Sequence, residues 1–182
     1  MTAVLRPVGG VGLIPLMAGV AVAETIIVDL GIEARLKWPN DVLVGKRKVG
    51  GILAETAWSQ GEARHTLLGI GVNLNNQLPP DLPEATTLLA ELGEEVDIEQ
   101  FLYDLLERLG QRFRLLERKP SRILDAWRAL SSTLGRRVEV VVDSGEKIQG
   151  VAVDIDQDGV LLLDTGCGRR GIVSGSLKER YC

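Results

Sequence analysis

The sequence predicts an α+β fold, in which a mixed sheet packs against helices and a second, smaller unit is built of strands. Three observations predict it. An apolar stretch at residues 12–31 indicates one buried helix, strand-like segments follow it up to residue 75, and amphipathic helices then precede a run of short strands. The composition agrees, because 45% of the 182 residues are hydrophobic and 25% are charged, which is typical of a globular protein.

Local signals predict the elements of the first part. The apolar stretch is hydrophobic nearly all round, as a buried helix is, and Gly31 is a typical residue to end it. A polar turn, QGE, separates the two longest strand segments, and the proline-rich connection NQLPPDLPE follows the last of them. The predicted strands are TAVLRP, EARLKW, DVLVG, RKVGGILAETAWS and ARHTLLGIGVNLN.

The second half changes from helices to strands. Apolar residues recur at i, i+3 and i+4 from Ile98 to Leu116, with Asp97 as the predicted N-cap, and a further helix follows Pro120. After about Thr133, short strands alternate with turns at intervals typical of a small barrel or sandwich. The sequence therefore predicts two domains, residues 1–133 and 134–182.

Charge and residue usage exclude several classes of function. A net charge of −4 argues against a nucleic-acid-binding surface, although it allows a local basic pocket. The single histidine, His65, and the two cysteines, Cys167 and Cys182, have neither metal-site spacing nor a partner for nucleophilic catalysis. The apolar N-terminal run is a poor match to a signal peptide and is interrupted by acids, so we expect a cytoplasmic protein without a membrane span.

The stretch KWPNDVLVGKRKVGGILAE, residues 37–55, combines a turn, a cationic hairpin tip and a glycine pair. Glycine inside a strand often marks a place where a ligand approaches the backbone closely. Lys48 stands two residues before Gly50 and Gly51, so its ammonium is well placed to meet an anion on that bare backbone. The alternative, a solvated hairpin tip beside a plain turn, stays open.

A second candidate is GIGVNLN, residues 69–75. Gly69 and Gly71 leave one face of this strand bare, and Asn73 and Asn75 continue the same face. Such a face could admit a planar ligand and offer amides to its edge. A bulge followed by a turn is the alternative, and the motif is not the GxGxxG dinucleotide fingerprint because no helix opens after it.

Together the two stretches resemble the central signature of biotin protein ligases, and the order of elements agrees over essentially the whole chain. The resemblance implies a fold related to class II aminoacyl-tRNA synthetases, with an SH3-like C-terminal barrel. It also implies an enzyme that activates biotin with ATP and Mg²⁺ to biotinyl-5′-AMP, and then passes biotin to a lysine of biotin carboxyl carrier protein. Dimerisation through the central sheet is a further implication.

The resemblance also implies roles for individual residues. Lys48 falls on the family's catalytic lysine, which contacts the biotin carboxylate and the α-phosphate, and Asp41 falls on the acidic residue near the adenylate and its metal. Asn40 and Asn73 fall on adenine-side contacts. The other residues of the implied biotin- and adenylate-binding set are Trp38, Gly50, Gly51, Gly69 and Gly71.

The chain departs from the family pattern in one respect. The family's Ser-Thr-Asn-type segment and its GRGRxGR loop, which closes over biotin, have no counterpart here, and neither does a DNA-binding helix-turn-helix. Two hypotheses therefore stand. The chain is a ligase, or it is a catalytically weak relative that serves as a nucleotide-binding, partner-binding or dimerisation module. Because the missing loop supplies the lid and several cationic contacts for biotin in the family, we expect poor or absent adenylation by this chain alone. A lipoate-ligase relative is a third alternative.

Overall fold

The computed structural model describes residues 1–6 and 10–179, so that Pro7, at the end of the first predicted strand, and Cys182 lie outside the described residues. The first part comprises β1 (Thr2–Leu5), a 3₁₀ turn (Val11–Leu13), α1 (Ile14–Leu30), β2 (Ala34–Lys37), β3 (Asp41–Val44), β4 (Arg47–Ser59), β5 (Glu62–Val72), α2 (Leu88–Leu92), α3 (Ile98–Arg118) and α4 (Ser121–Leu130). The remaining strands are β6 (Arg137–Val141), β7 (Lys147–Ile155), β8 (Leu161–Asp164), β9 (Arg169–Ile172) and β10 (Ser176–Glu179).

The five strands of the first sheet pair with one another only in antiparallel fashion, which corrects the predicted mixed sheet. Its strand order is β1-β5-β4-β3-β2. The turns explain the difference, since two-residue hairpin loops join only antiparallel strands. Gln60 and Gly61, both with positive φ, connect β4 to β5, and Gly45 with φ 59° opens the turn between β3 and β4.

The apolar helix α1 lies in the interior, as predicted. One side of it contacts β2, β3 and β4, and other sides contact α3 and α4, which explains why the helix has no polar face. Residues Val11–Leu30 are long and apolar enough to cross a membrane by length and composition, but two thirds of this stretch is buried inside the protein. The helix ends at Gly31, in the left-handed conformation with φ 68°, which confirms the predicted C-cap.

The two amphipathic helices form where the sequence predicts them. Asp97 caps α3 with a carboxylate oxygen that accepts hydrogen bonds from the Glu99 and Gln100 amides, each at 3.0 Å. Arg108 and Arg112 of α3 form ion pairs with Asp29 and Glu24 of α1 and so link the two helices. The next helix, α4, begins directly after Pro120.

The second sheet is an open antiparallel ladder with the order β10-β6-β7-β8-β9. In the described part of the chain β9 and β10 do not pair, so the sheet is not closed into the barrel that the resemblance implies. Buried residues of both sheets belong to one continuous hydrophobic cluster. The indole of Trp38 helps to join them, because its Nε1 donates to the Gly159 carbonyl at 3.3 Å.

An ion pair attaches α4 to the second sheet. Arg128 donates from Nε to a carboxylate oxygen of Asp154 at 2.6 Å and from Nη2 to the Ile155 carbonyl at 2.8 Å. Burial raises the pKa of Asp154, but hydrogen bonds from Arg128 and the Ile155 amide outweigh it and leave the pKa below its ordinary value. The folded protein therefore favours the carboxylate, whose stabilising effect is present above the unfolded pKa and lost as the pH falls through the folded pKa.

We expect Asp154→Asn to lower the free energy of unfolding at pH 7 by about 1 kcal/mol, a small effect because both partners are partly exposed. The difference from the wild type should vanish well below the ordinary Asp pKa of about 3.9. Urea unfolding at both pH values measures it, and Asp81→Asn, at an exposed acid, is the matched control. If Asp154→Asn remained less stable than the wild type in acid, the stabilisation by Asp154 would not be electrostatic.

Candidate functional site

A groove lies on the face of the first sheet opposite α1. Ile52, Leu68 and Ile70 point toward α1 and are buried, whereas the alternate positions of β4 and β5 point outward. Among these outward positions, Gly51 stands directly opposite Gly71. The groove has a volume of about 420 Å³ and is lined by Met1, Asn40, Lys48, Gly51, Ile52, Leu53, Gly69, Ile70 and Gly71.

A β-bulge brings Lys48 to this groove. Leu43 pairs with Lys48 and Val42 pairs with Gly50, so Val49 is an extra residue in β4. In an uninterrupted strand, Lys48 and Gly51 would point to opposite faces because they are three residues apart. The extra residue of the bulge puts Lys48 and Gly51 on the same face of the sheet. A Cβ atom built on Gly51 would lie 3.2 Å from the Lys48 Nζ.

Three charged side chains meet beside the glycines. The Lys48 ammonium pairs with one carboxylate oxygen of Asp41, and the Lys37 ammonium lies 4.0 Å from the other oxygen. The cluster carries one net positive charge, and the Lys48 side chain is 46% exposed, so an incoming anion can reach it. Sequence reasoning missed Lys37, although its spacing of four residues from Asp41 was the available signal.

A second cavity of about 440 Å³ adjoins the same lysine and extends to the second sheet. It is markedly cationic, since it is lined by Lys37, Asp41, Leu43, Gly45, Lys46, Lys48, Glu84, Ser132, Arg136, Leu177 and Lys178. Lys48 lines both this cleft and the glycine groove. The arrangement can therefore hold a ligand that has a neutral part in the groove and anionic groups at and beyond Lys48.

The residues described do not form a magnesium site of their own. Both carboxylate oxygens of Asp41 face lysine ammoniums, which compete with any metal. Within residues 1–6 and 10–179, no three His, Cys, Asp or Glu side chains cluster as metal ligands. Since Mg²⁺ prefers carboxylate and phosphate oxygens, the predicted role of Asp41 as its ligand has no support in this arrangement.

The predicted amides do not all reach the groove. Asn40 lines it, and its Nδ2 donates to the Ile52 carbonyl at 2.8 Å. Asn73 and Asn75 do not line it, because β5 ends at Val72 and the expected continuation of its face ends with it. Their amides satisfy backbone groups instead: Asn73 Nδ2 donates to the Thr86 carbonyl at 3.1 Å, and Asn75 exchanges two hydrogen bonds with Val96.

Two further residues that were predicted to bind the ligand do not line the groove. Trp38 is 2% exposed and contacts the second sheet rather than the groove. Gly50 faces away from the groove, and a Cβ atom on it would lie 2.8 Å from the Gly71 carbonyl oxygen. The predicted residues that the structure brings together at the groove and the cleft are Lys48, Asp41, Asn40, Gly51, Gly69 and Gly71. Trp38, Gly50 and Asn73 lie outside the groove lining.

The sequence matches two families of known proteins. Residues 8–73 match the Biotin/lipoate A/B protein ligase family, and residues 133–176 match the Biotin protein ligase C terminal domain. The chain is 38% identical over 173 residues to the biotin--[acetyl-CoA-carboxylase] ligase of Mycobacterium tuberculosis, covering 92% of this chain and 62% of that protein. It is 34% identical over 183 residues to the enzyme of the same name from Paracoccus denitrificans, covering 94% of this chain and 75% of that protein.

Similarity extends to a bifunctional protein and to solved structures. The chain is 32% identical over 169 residues to the bifunctional ligase/repressor BirA of Bacillus subtilis, covering 90% of this chain but 51% of that protein. The apo structure of the biotin protein ligase from Aquifex aeolicus superimposes with a TM-score of 0.88 at 27% identity, covering 98% of this chain and 81% of that one. The complex of that ligase with biotin and ATP gives a TM-score of 0.86 at 28% identity, covering 100% of this chain and 77% of that one.

The chain spans between about half and three quarters of the length of these three curated relatives. Both family matches, the sequence identity to the curated relatives and the superposition over almost the whole chain agree with one another. The chain belongs to the biotin protein ligase family.

Proposed function

We propose that this protein is an ATP-dependent biotin–protein ligase, which forms biotinyl-5′-AMP and transfers biotin to a lysine of the biotin carboxyl carrier protein of acetyl-CoA carboxylase. The observation that carries the proposal is the Lys48 ammonium, held by a bulge against a floor of glycines and facing a cationic cleft. Family membership supports it, and so do the names of the Mycobacterium and Paracoccus relatives.

The first step joins two anions. A carboxylate oxygen of biotin attacks the α-phosphorus of ATP, a carboxyl–phosphate anhydride forms, and the bond to the β-phosphate breaks to release pyrophosphate. The Lys48 ammonium offsets the repulsion between the carboxylate and the phosphates, as well as the charge that develops in the transition state. Gly51, Gly69 and Gly71 leave room for the adenylate to lie against the backbone, and Asp41 holds the lysine until the anions arrive.

The second step needs no nucleophile from this chain. The neutral amine of the acceptor lysine attacks the carbonyl carbon of the anhydride, an amide forms, AMP leaves with the bridging oxygen, and the amine gives up one proton to solvent. Positioning of the two reactants and electrostatic stabilisation can suffice for such a transfer. Mg²⁺, when present, would accompany the phosphates of ATP, since no separate site for it is found in the described residues.

The finer architecture and assembly are also proposals. We infer a catalytic domain of residues 1–133 and an SH3-like domain of residues 134–182, which the match of residues 133–176 to the family's C-terminal domain supports. A homodimer through the first sheet and a cytoplasmic location follow from the family resemblance.

The test is exchange of labelled pyrophosphate into ATP by the 182-residue chain, with biotin, lipoate or neither present. We expect exchange that depends on biotin, and even a slow rate supports the proposal. Exchange with lipoate in place of biotin would instead identify a lipoate ligase. Saturable ATP binding without exchange would contradict the proposal and favour the nucleotide-binding module.

A further inference from the structure

We propose that Thr86 and Glu91 are positioning residues for Lys48, holding the main chain from which the lysine reaches the glycine groove. The inference rests on the proposed function, because that function gives Lys48 its catalytic role. Neither residue lines the groove or the cationic cleft. Both belong to the segment that follows the proline-rich connection, and no sequence motif predicts a function for this segment.

The main chain of Lys48 is held by this segment rather than by β5. The ladder between β5 and β4 ends at Val72, and one further hydrogen bond, from the Asn73 amide to the Val49 carbonyl at 2.7 Å, follows it. At Lys48 the segment around Ala85 takes the place of β5 through a single parallel bridge. The Lys48 amide donates to the Glu84 carbonyl at 2.7 Å, and the Thr86 amide donates to the Lys48 carbonyl at 2.8 Å. These bonds lie at the bulge, where the pairing of β4 with β3 is irregular.

The holding segment is itself fixed by side chains. The Thr86 hydroxyl donates to Glu91 Oε1 at 2.5 Å, and Arg47 Nη2 donates to the same oxygen at 2.6 Å. Asn73 Nδ2 donates to the Thr86 carbonyl at 3.1 Å. Thr86 is 2% exposed, so its hydroxyl has little access to water as an alternative partner.

The Glu91 carboxylate therefore connects two residues that adjoin Lys48, one in the chain and one through a hydrogen bond. Glu91 bonds Arg47, which precedes Lys48 in the chain, and Thr86, whose amide holds the Lys48 carbonyl. If the hydrogen bonds to Glu91 are lost, the backbone at the bulge can shift and the Lys48 ammonium can move away from Gly51. The hydrophobic core does not depend on these bonds. Since small displacements of a catalytic group are costly, the effect should appear in the chemical step.

Thr86→Val removes the hydroxyl while nearly keeping the shape, and Thr86→Ser keeps the hydroxyl. We expect Thr86→Val to lower kcat of biotin-dependent exchange by about 10- to 100-fold with KM for ATP nearly unchanged. Thr86→Ser should restore most of the rate, and Glu91→Gln should behave like Thr86→Val in a weaker form. Glu94→Gln, at an exposed acid just after α2, is the matched control and should match the wild type.

Competitive acylation of lysine amines across a pH series, quantified by mass spectrometry, tests the placement of Lys48 without turnover. In Thr86→Val the labelling of Lys48 should move toward that of exposed Lys147, and in Thr86→Ser it should stay at the wild-type value. Unchanged Lys48 labelling in Thr86→Val overturns the positioning role, whatever the exchange rate. Altered labelling in a chain that shows no exchange supports the positioning role and separates it from a failure of the proposed function.

Discussion

Replacement of Lys48 by alanine is expected to lower biotin-dependent ATP–pyrophosphate exchange by about 100- to 1,000-fold. Lys48 lines both the glycine groove and the cationic cleft, so the proposed function places it where the carboxylate and the α-phosphate meet. Without its charge, the two anions repel each other in the groove, and the charge that develops on phosphorus has no fixed counterion there. Exchange rates at saturating biotin and ATP measure the loss directly.

The same substitution should leave the protein folded. The Lys48 side chain is about half exposed, and its ion pair with Asp41 is worth less than about 1 kcal/mol. Asp41 also keeps Lys37 as a neighbour when Lys48 is removed. Lys147→Ala, at an exposed lysine of the second sheet, is the matched control and should exchange at the wild-type rate. A Lys48→Ala protein that retains most of its activity would remove this lysine from the mechanism.

The two adjacent glycines of β4 should respond to alanine in opposite ways. A Cβ atom on Gly50 would lie 2.8 Å from the Gly71 carbonyl oxygen, and a strand backbone cannot move aside without breaking the β4–β5 pairing. We therefore expect Gly50→Ala to lower the free energy of unfolding by about 1–3 kcal/mol. Urea unfolding at pH 7 measures this loss.

On Gly51 the nearest atom to a new Cβ is the Lys48 Nζ, at 3.2 Å, which is the flexible end of a side chain. Gly51→Ala should therefore change the free energy of unfolding by less than about 0.5 kcal/mol. It should lower the exchange rate about tenfold, because it displaces the ammonium and narrows the groove. Each variant is the control for the other, and equal loss of stability in both would show that our assignment of the two faces is wrong.

The sequence predicts most elements of this fold because their signals are local. Turn residues, strand alternation and the period of α3 lie within short stretches of the chain, and the C-cap at Gly31 and the N-cap at Asp97 are confirmed. The antiparallel order of the first sheet also had a local signal in the two-residue turn at Gln60 and Gly61. That turn decides between the antiparallel and the mixed pairing, both of which the strand segments alone leave open.

The site is less predictable because it depends on contacts between distant segments. The bulge at Val49 sets the direction of Lys48, and it is visible only in the register of β3 against β4. Trp38 donates to Gly159, which is 121 residues away in the chain, and Asn73 donates to Thr86 across the proline-rich connection. The motif therefore predicts a set of site residues, but it does not distinguish those that line the groove from those that bond the backbone elsewhere.

The alternation of inward-facing and outward-facing side chains along β5 affects which substitutions this protein can accept. The side chains of Leu68 and Ile70 are buried in the interior, whereas Gly69 and Gly71 face outward and line the groove, so packing and ligand contact use alternate positions of the same strand. Substitution at the outward positions can alter ligand preference while the interior stays intact. An insertion or deletion of a single residue would instead exchange the two sets, and would abolish folding and ligand recognition in one event.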